Sequence, residues 1–158
     1  MVKTPRQLGH LVIKVRDLER SELFYTQFMD LNVTGRIPDR MVFLSADPKS
    51  SHELAIVSVG KEAIGPQEDQ VGLAHMAWQM ETMEDLRDVH SRLKECGREF
   101  RIGDHGMSLG IYFQDPDGHE IETFYELSKD QWPKGVDVTG GAKFPLKLEE
   151  ETSFARNS

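Results

Sequence analysis

The chain repeats itself, and a repeat of this length confines it to folds built from two copies of one supersecondary unit. Leu8-Gly9-His10-Leu11-Val12-Ile13-Lys14-Val15 alternates like a strand, and a helical stretch over 17–29 follows it. Gly72-Leu73-Ala74-His75-Met76-Ala77-Trp78-Gln79-Met80 is the second such run, with a helical stretch over 82–95 behind it. His10 and His75 occupy the same place in the two copies.

Three short strand candidates follow each helix: 32–36, 41–45 and 53–59 in the first half, then 99–102, 108–114 and 120–126 in the second. Pro38-Asp39, Asp47-Pro48 and Asp115-Pro116-Asp117-Gly118 are turn formers that separate strands. Thr82-Met83-Glu84-Asp85 has the Thr-x-x-acid form of a helix start, and Gly97 supplies a left-handed stop. Between them Met83, Leu86, Val89 and Leu93 make a stripe that packs on a sheet. The expected class is therefore α+β, with a βαβββ module over 7–60 and another over 71–126 in one domain, 1–126. Residues 61–70 read as a polar insertion joining the modules, and 127–158 as a partly disordered C-terminal arm or tail.

Side chains of a strand alternate between its faces, so parity sorts the residues. Leu11, Ile13 and Val15 form the apolar face under the first helix, which leaves His10, Val12 and Lys14 opposite. Met76, Trp78 and Met80 repeat that choice, with His75, Ala77 and Gln79 opposite. Tyr112 and Glu122 fall on the matching face of the later strands. Two imidazoles and a carboxylate on a repeated β scaffold are the makings of a divalent-metal site formed by His10, His75 and Glu122. His90, on the second helix, and His119, in a turn, read as ordinary surface residues.

A chain of 158 residues with 38% hydrophobic content can bury one good core. Its net charge of −8, without a basic cluster, argues against a nucleic-acid partner. No apolar run is long enough to span a membrane and no signal peptide is evident. Cys96 stands alone, so a reducing cytoplasm is the expected compartment.

Leu8-Gly9-His10-Leu11, Arg16-Asp17-Leu18-Glu19-Arg20-Ser21, Phe24-Tyr25, Ala74-His75-Met76 and the run Ile111-Tyr112-Phe113-Gln114-Asp115-Pro116-Asp117-Gly118-His119-Glu120-Ile121-Glu122 resemble the vicinal oxygen chelate superfamily. That superfamily includes glyoxalase I, methylmalonyl-CoA epimerase, fosfomycin and bleomycin resistance proteins and extradiol dioxygenases. The resemblance covers about residues 7–126. It implies two βαβββ modules whose sheets curl into a half-open barrel around one metal.

Further positions resemble the extradiol enzymes in particular. His52-Glu53-Leu54-Ala55 is similar to their His-x-Leu-Ala element, whose histidine is an acid–base catalyst beside the iron, and Tyr112 is similar to their active-site tyrosine. Asp104-His105-Gly106 precedes the strand of Tyr112, and His105 can reach the pocket mouth. Glyoxalase-type members carry a fourth ligand, a glutamate on the last strand of the first module, where this chain has Ala55 and Ile56. The expectation is thus a ring-cleaving enzyme for a small aromatic diol with O2, holding Fe(II), with Mn, Co or Zn suited to the same ligands. Phe43, Trp78, Phe100 and Phe124 are the expected pocket walls. A homodimer or larger homo-oligomer is expected, with Trp132-Pro133 able to clasp a partner. A metal-dependent isomerase of the glyoxalase or epimerase kind, or a metal-free protein that sequesters an aromatic ligand, is the alternative.

Overall fold

The computed structural model describes residues 4–67 and 69–149. The chain divides into two compact units, the first running to Gln70 and adding Asp115–His119, the second comprising Val71–Gln114 and the chain from Glu120 onward.

In the first unit β1 (Leu11–Val15), α1 (Leu18–Leu23), β2 (Asn32–Ile37), β3 (Met41–Ser45) and β4 (Leu54–Ser58) form a four-stranded sheet in the order β1-β4-β3-β2. In the second, β5 (Met76–Gln79), α2 (Met83–Glu95), β6 (Arg101–Asp104), β7 (Ser108–Gln114) and β8 (Glu120–Glu126) repeat that topology as β5-β8-β7-β6. Each unit is thus βαβββ, with its last strand inside the sheet, parallel to the first and antiparallel to the third.

The last strand of each module carries three consecutive buried positions. Leu54, Ala55 and Ile56 of β4 are fully buried, and so are Ile121 and Thr123 of β8. Ile13 and Val15 point under α1 while Val12 and Lys14 stay exposed, the parity expected from sequence. Asp17 caps α1 by accepting the Arg20 amide at 3.1 Å. The expected single helix over 17–29 instead loosens after Leu23 into a π-turn, Phe24–Phe28. There the Thr26 hydroxyl donates to the Glu22 carbonyl at 2.8 Å, competing with the backbone ladder of that turn.

In α2, Thr82 and Asp85 close the reciprocal cap, and Gly97 (φ 64°) ends the helix. Met83, Leu86, Val89 and Leu93 are all buried, each burial stabilising by about 1.5–3 kcal/mol. His90 is buried with them, its ring edge-on to Phe100 at 5.2 Å, and not the surface residue expected. Burial lowers its pKa.

Two boundaries shift for reasons of register. β1 and β5 start at Leu11 and Met76, where pairing with β4 and β8 begins, so His10 and His75 each stand one residue before a ladder. β6 lies at Arg101–Asp104 and not 99–102, because its hairpin to β7 turns at Gly106 (φ 80°). Residues 127–149 lie along the second unit: Leu127 and Phe144 are buried, Trp132 donates to the Leu127 carbonyl at 3.0 Å, and Arg87 bonds the Lys147 carbonyl. Among the described residues no helix is long and apolar enough to cross a membrane.

Candidate active site

The repeat can be superposed by register alone. In the first unit Val12 of β1 pairs with Ala55 of β4, and Ala55 pairs with Phe43 of β3. In the second, Ala77 of β5 pairs with Glu122 of β8, and Glu122 pairs with Tyr112 of β7. Val12 and Ala77 are each two residues beyond the matched histidine, so Ala55 occupies the place of Glu122 and Phe43 that of Tyr112. One module carries a carboxylate and a phenol where the other carries a methyl and a phenyl.

In the second unit these groups form a connected cluster. His75 Nε2 lies 3.2 Å from Glu122 Oε2, and Glu122 as a residue is only 8% exposed. Tyr112 donates to Glu122 Oε1 at 2.6 Å. His105 Nε2 is 3.0 Å from the Tyr112 oxygen. Since Tyr112 spends its proton on Glu122, its oxygen accepts from His105, which therefore carries its proton on Nε2. Burial raises the Tyr112 pKa, and the hydrogen bond to Glu122 with its negative charge raises it further, so the phenol keeps its proton.

The sheet makes room for this cluster with glycines. Gly103 and Gly110 are register partners on β6 and β7. A Cβ at Gly110 would run into the Glu122 carboxylate, and one at Gly103 would come within 2.7 Å of the Tyr112 ring. Arg101, paired with Tyr112 across the same two strands, lays its guanidinium over the ring at 3.7 Å and bonds Glu120 at 3.1 Å. Sequence reasoning missed Arg101 and Gly103. Gly110 carried a usable signal, an isolated glycine inside a strand where another group comes close.

In the first unit His10 is exposed, and its ring centroid is 4.5 Å from that of His52. His52 lies on the loop before β4, its ring edge-on to Phe43 at 5.1 Å. Phe43 thus lies against His52, and Phe124, paired with Gly110, shares the face of β8 that carries Glu122. Trp78 and Phe100 do not: Trp78 pairs with Thr123 on the opposite face from Glu122, and Phe100 packs against His90 of α2.

His119 also differs from expectation. Its side chain is only 16% exposed, and Nδ1 bonds Asp115 Oδ2 at 3.0 Å. Asp115 further accepts the Tyr25 hydroxyl at 2.9 Å, while Asp117 takes Arg16 at 2.7 Å, Arg20 at 2.8 Å and Ser21 at 3.1 Å. The Asp-Pro-Asp-Gly turn is therefore an anchored polar network within the first unit.

Imidazole nitrogen and carboxylate oxygen together are a donor set suited to Fe(II), Mn(II), Co(II) or Zn(II), and the His75–Glu122 pair offers one of each. Among the described residues no three His, Cys, Asp or Glu side chains are gathered into a metal-ready group.

Two βαβββ units of one topology, with a histidine before the first strand of each and a carboxylate on the last strand of one, define a duplicated scaffold. The family model of the Glyoxalase/Bleomycin resistance protein/Dioxygenase superfamily matches residues 7–123, and the chain belongs to that superfamily. It is 31% identical to a catechol-2,3-dioxygenase of Bacillus subtilis over 80% of this chain and 44% of that protein. It is 32% identical to a biphenyl-2,3-diol 1,2-dioxygenase of Rhodococcus globerulus over 77% of this chain and 64% of that protein. In both cases it spans less than two thirds of the relative. A glyoxylase/bleomycin resistance protein/dioxygenase domain from Frankia shares the fold, with a TM-score of 0.67 at 23% identity over 78% of this chain and all of that one.

Proposed function

We propose that the chain is an Fe(II)-dependent extradiol dioxygenase that opens the ring of a catechol-type diol with O2. His10, His75 and Glu122 are its proposed metal ligands, and His52, Tyr112 and His105 its proposed catalytic residues. The observation that carries the reading is the asymmetry of the repeat: Ala55 stands in register where Glu122 stands, so the first module has no acid at the matching position. Similarity to dioxygenases named for catechol and biphenyl-2,3-diol supports the same choice.

Fe(II) held by His10, His75 and Glu122 would bind the diol and activate dioxygen, and Mn(II) or Co(II) suits the same ligands. His52, against the ring of His10, takes a proton from a diol hydroxyl as substrate binds. Tyr112 holds Oε1 of Glu122 with its own proton, which leaves Oε2 on the side of His75. His105 fixes the direction of the Tyr112 hydroxyl by donating to its oxygen. Over the whole reaction both atoms of O2 enter the product, and the ring carbon–carbon bond beside the diol breaks to leave a carboxylate and a carbonyl. A cytoplasmic homo-oligomer is the form in which we propose that it works.

The test is anaerobic reconstitution with Fe(II) followed by mixing with a panel of catechols in air. Oxygen uptake with a coloured ring-opened product is expected; no uptake across a broad panel would sink the proposal.

A further inference from the structure

A cleft of about 390 Å³ opens in the first unit, lined by Lys14, Arg16, Val59, Ile64, Pro66 and His119 among others. None of its lining residues is assigned above to the dioxygen chemistry. Its two walls differ in kind. One carries cationic and donor groups from β1 and from the turn at 115–119. The other is apolar: Val59, Ala63, Ile64 and Pro66 come from the chain after β4, and Ile64 is 85% exposed.

Asp117, which lines the cleft, and Asp115 of the same turn are already spent. Asp117, with a side chain 2% exposed, is taken by Arg16, Arg20 and Ser21, while Asp115 is taken by Tyr25, His119 and the amides of Asp117 and His119. Lys14 has no ion-pair partner among the described residues, and no described group bonds Nη1 of Arg16 or Nε2 of His119. Lys14 is exposed and the Arg16 side chain is 35% exposed, so both can take an acceptor arriving from solvent. A cationic wall is also unexpected in a chain of net charge −8.

We propose that this cleft binds a small organic carboxylate, with its anionic head between Lys14, Arg16 and His119 and its apolar body along Val59, Ile64 and Pro66. A bare inorganic anion would satisfy the head and leave the volume and the apolar wall unused, which favours a ligand carrying hydrocarbon. The hydrogen bond to Asp115 is the main cause of a raised pKa at His119, which keeps Nε2 a donor closer to neutral pH.

The experiment is an NMR titration of the full, metal-free chain with hexanoate, following the His119 imidazole and the amides of residues 63–65, with inorganic phosphate as a separate arm. Saturable shifts with hexanoate and only weak ones with phosphate are expected. Lys14→Ala, on an exposed strand position, should weaken hexanoate by about tenfold, the scale of one contact to a charged group, and Ile64→Ser should weaken it several-fold. Unmoved His119 resonances would overturn the site. Phosphate binding as tightly as hexanoate, with Ile64→Ser indifferent, would overturn the ligand class. The readout needs no turnover, so it stands or falls separately from the dioxygenase proposal.

Discussion

Tyr112 and Glu122 are direct register partners on β7 and β8, and the tyrosine hydroxyl donates to the Glu122 carboxylate at 2.6 Å. The bond occupies Oε1 and leaves Oε2 beside His75. The position of the carboxylate thus depends on a neighbouring strand as well as its own.

Tyr112→Phe should separate positioning from ligation. Loss of one hydrogen bond to a charged group should cost about 1.5–3 kcal/mol of stability. Turnover should fall by about 10–100-fold, as for other loss of support to a ligand, while most bound metal is retained. Metal analysis beside steady-state kinetics checks this; complete metal loss would make the hydroxyl a condition of binding.

His52→Ala should impair turnover by about 100-fold or more, within the range of a general acid–base group, and leave iron content nearly intact. Loss of iron in step with activity would instead place His52 among the ligands.

Gly110→Ala should damage the site while sparing the fold. The added Cβ meets the end of the Glu122 side chain, so the carboxylate must swing away from Tyr112 and His75. Metal affinity should drop by at least about tenfold with an unchanged far-UV circular dichroism spectrum. Calorimetric metal titration of the folded variant decides the matter.

Stability should fall off in acid through the anchored turn. Bonds to His119 and Tyr25 hold Asp115 below its ordinary value of 3.8, and Arg16 and Arg20 do the same for Asp117. Their contribution is therefore complete above that value and is lost as pH falls through the lowered folded values. His119, raised above 6.5, contributes in the opposite sense: its share is full below 6.5 and is lost as pH rises through its folded value. Asp117→Asn should flatten the acid limb and cost about 2–3 kcal/mol, less than a fully buried pair, because Arg16 and Arg20 remain partly hydrated. Urea unfolding from pH 3 to 8 gives both numbers, and an unchanged acid limb would contradict the assignment.

Much of this was legible in the residues. The alternation around His10 and His75, the cap at Thr82 and the Asp-Pro-Asp-Gly turn are local signals, and they gave the modules and the faces. Missing were the burial of His90 and the partial burial of His119, the π-turn after Leu23, and the supporting positions Arg101 and Gly103. Each of these depends on a partner that local periodicity does not reveal. His90 meets Phe100 from beyond the helix end, and Gly103 matters only because the Tyr112 ring lies over it.

Sequence by itself determined that the chain is a duplicated βαβββ fold with a matched histidine in each copy, because periodicity and turn chemistry act over a few residues. Tertiary structure alone decided that Tyr112 holds the Glu122 carboxylate and that Asp117 collects Arg16 from 101 positions away. Strand register and buried hydrogen bonds are settled by groups distant along the chain, where packing and desolvation leave room for one arrangement.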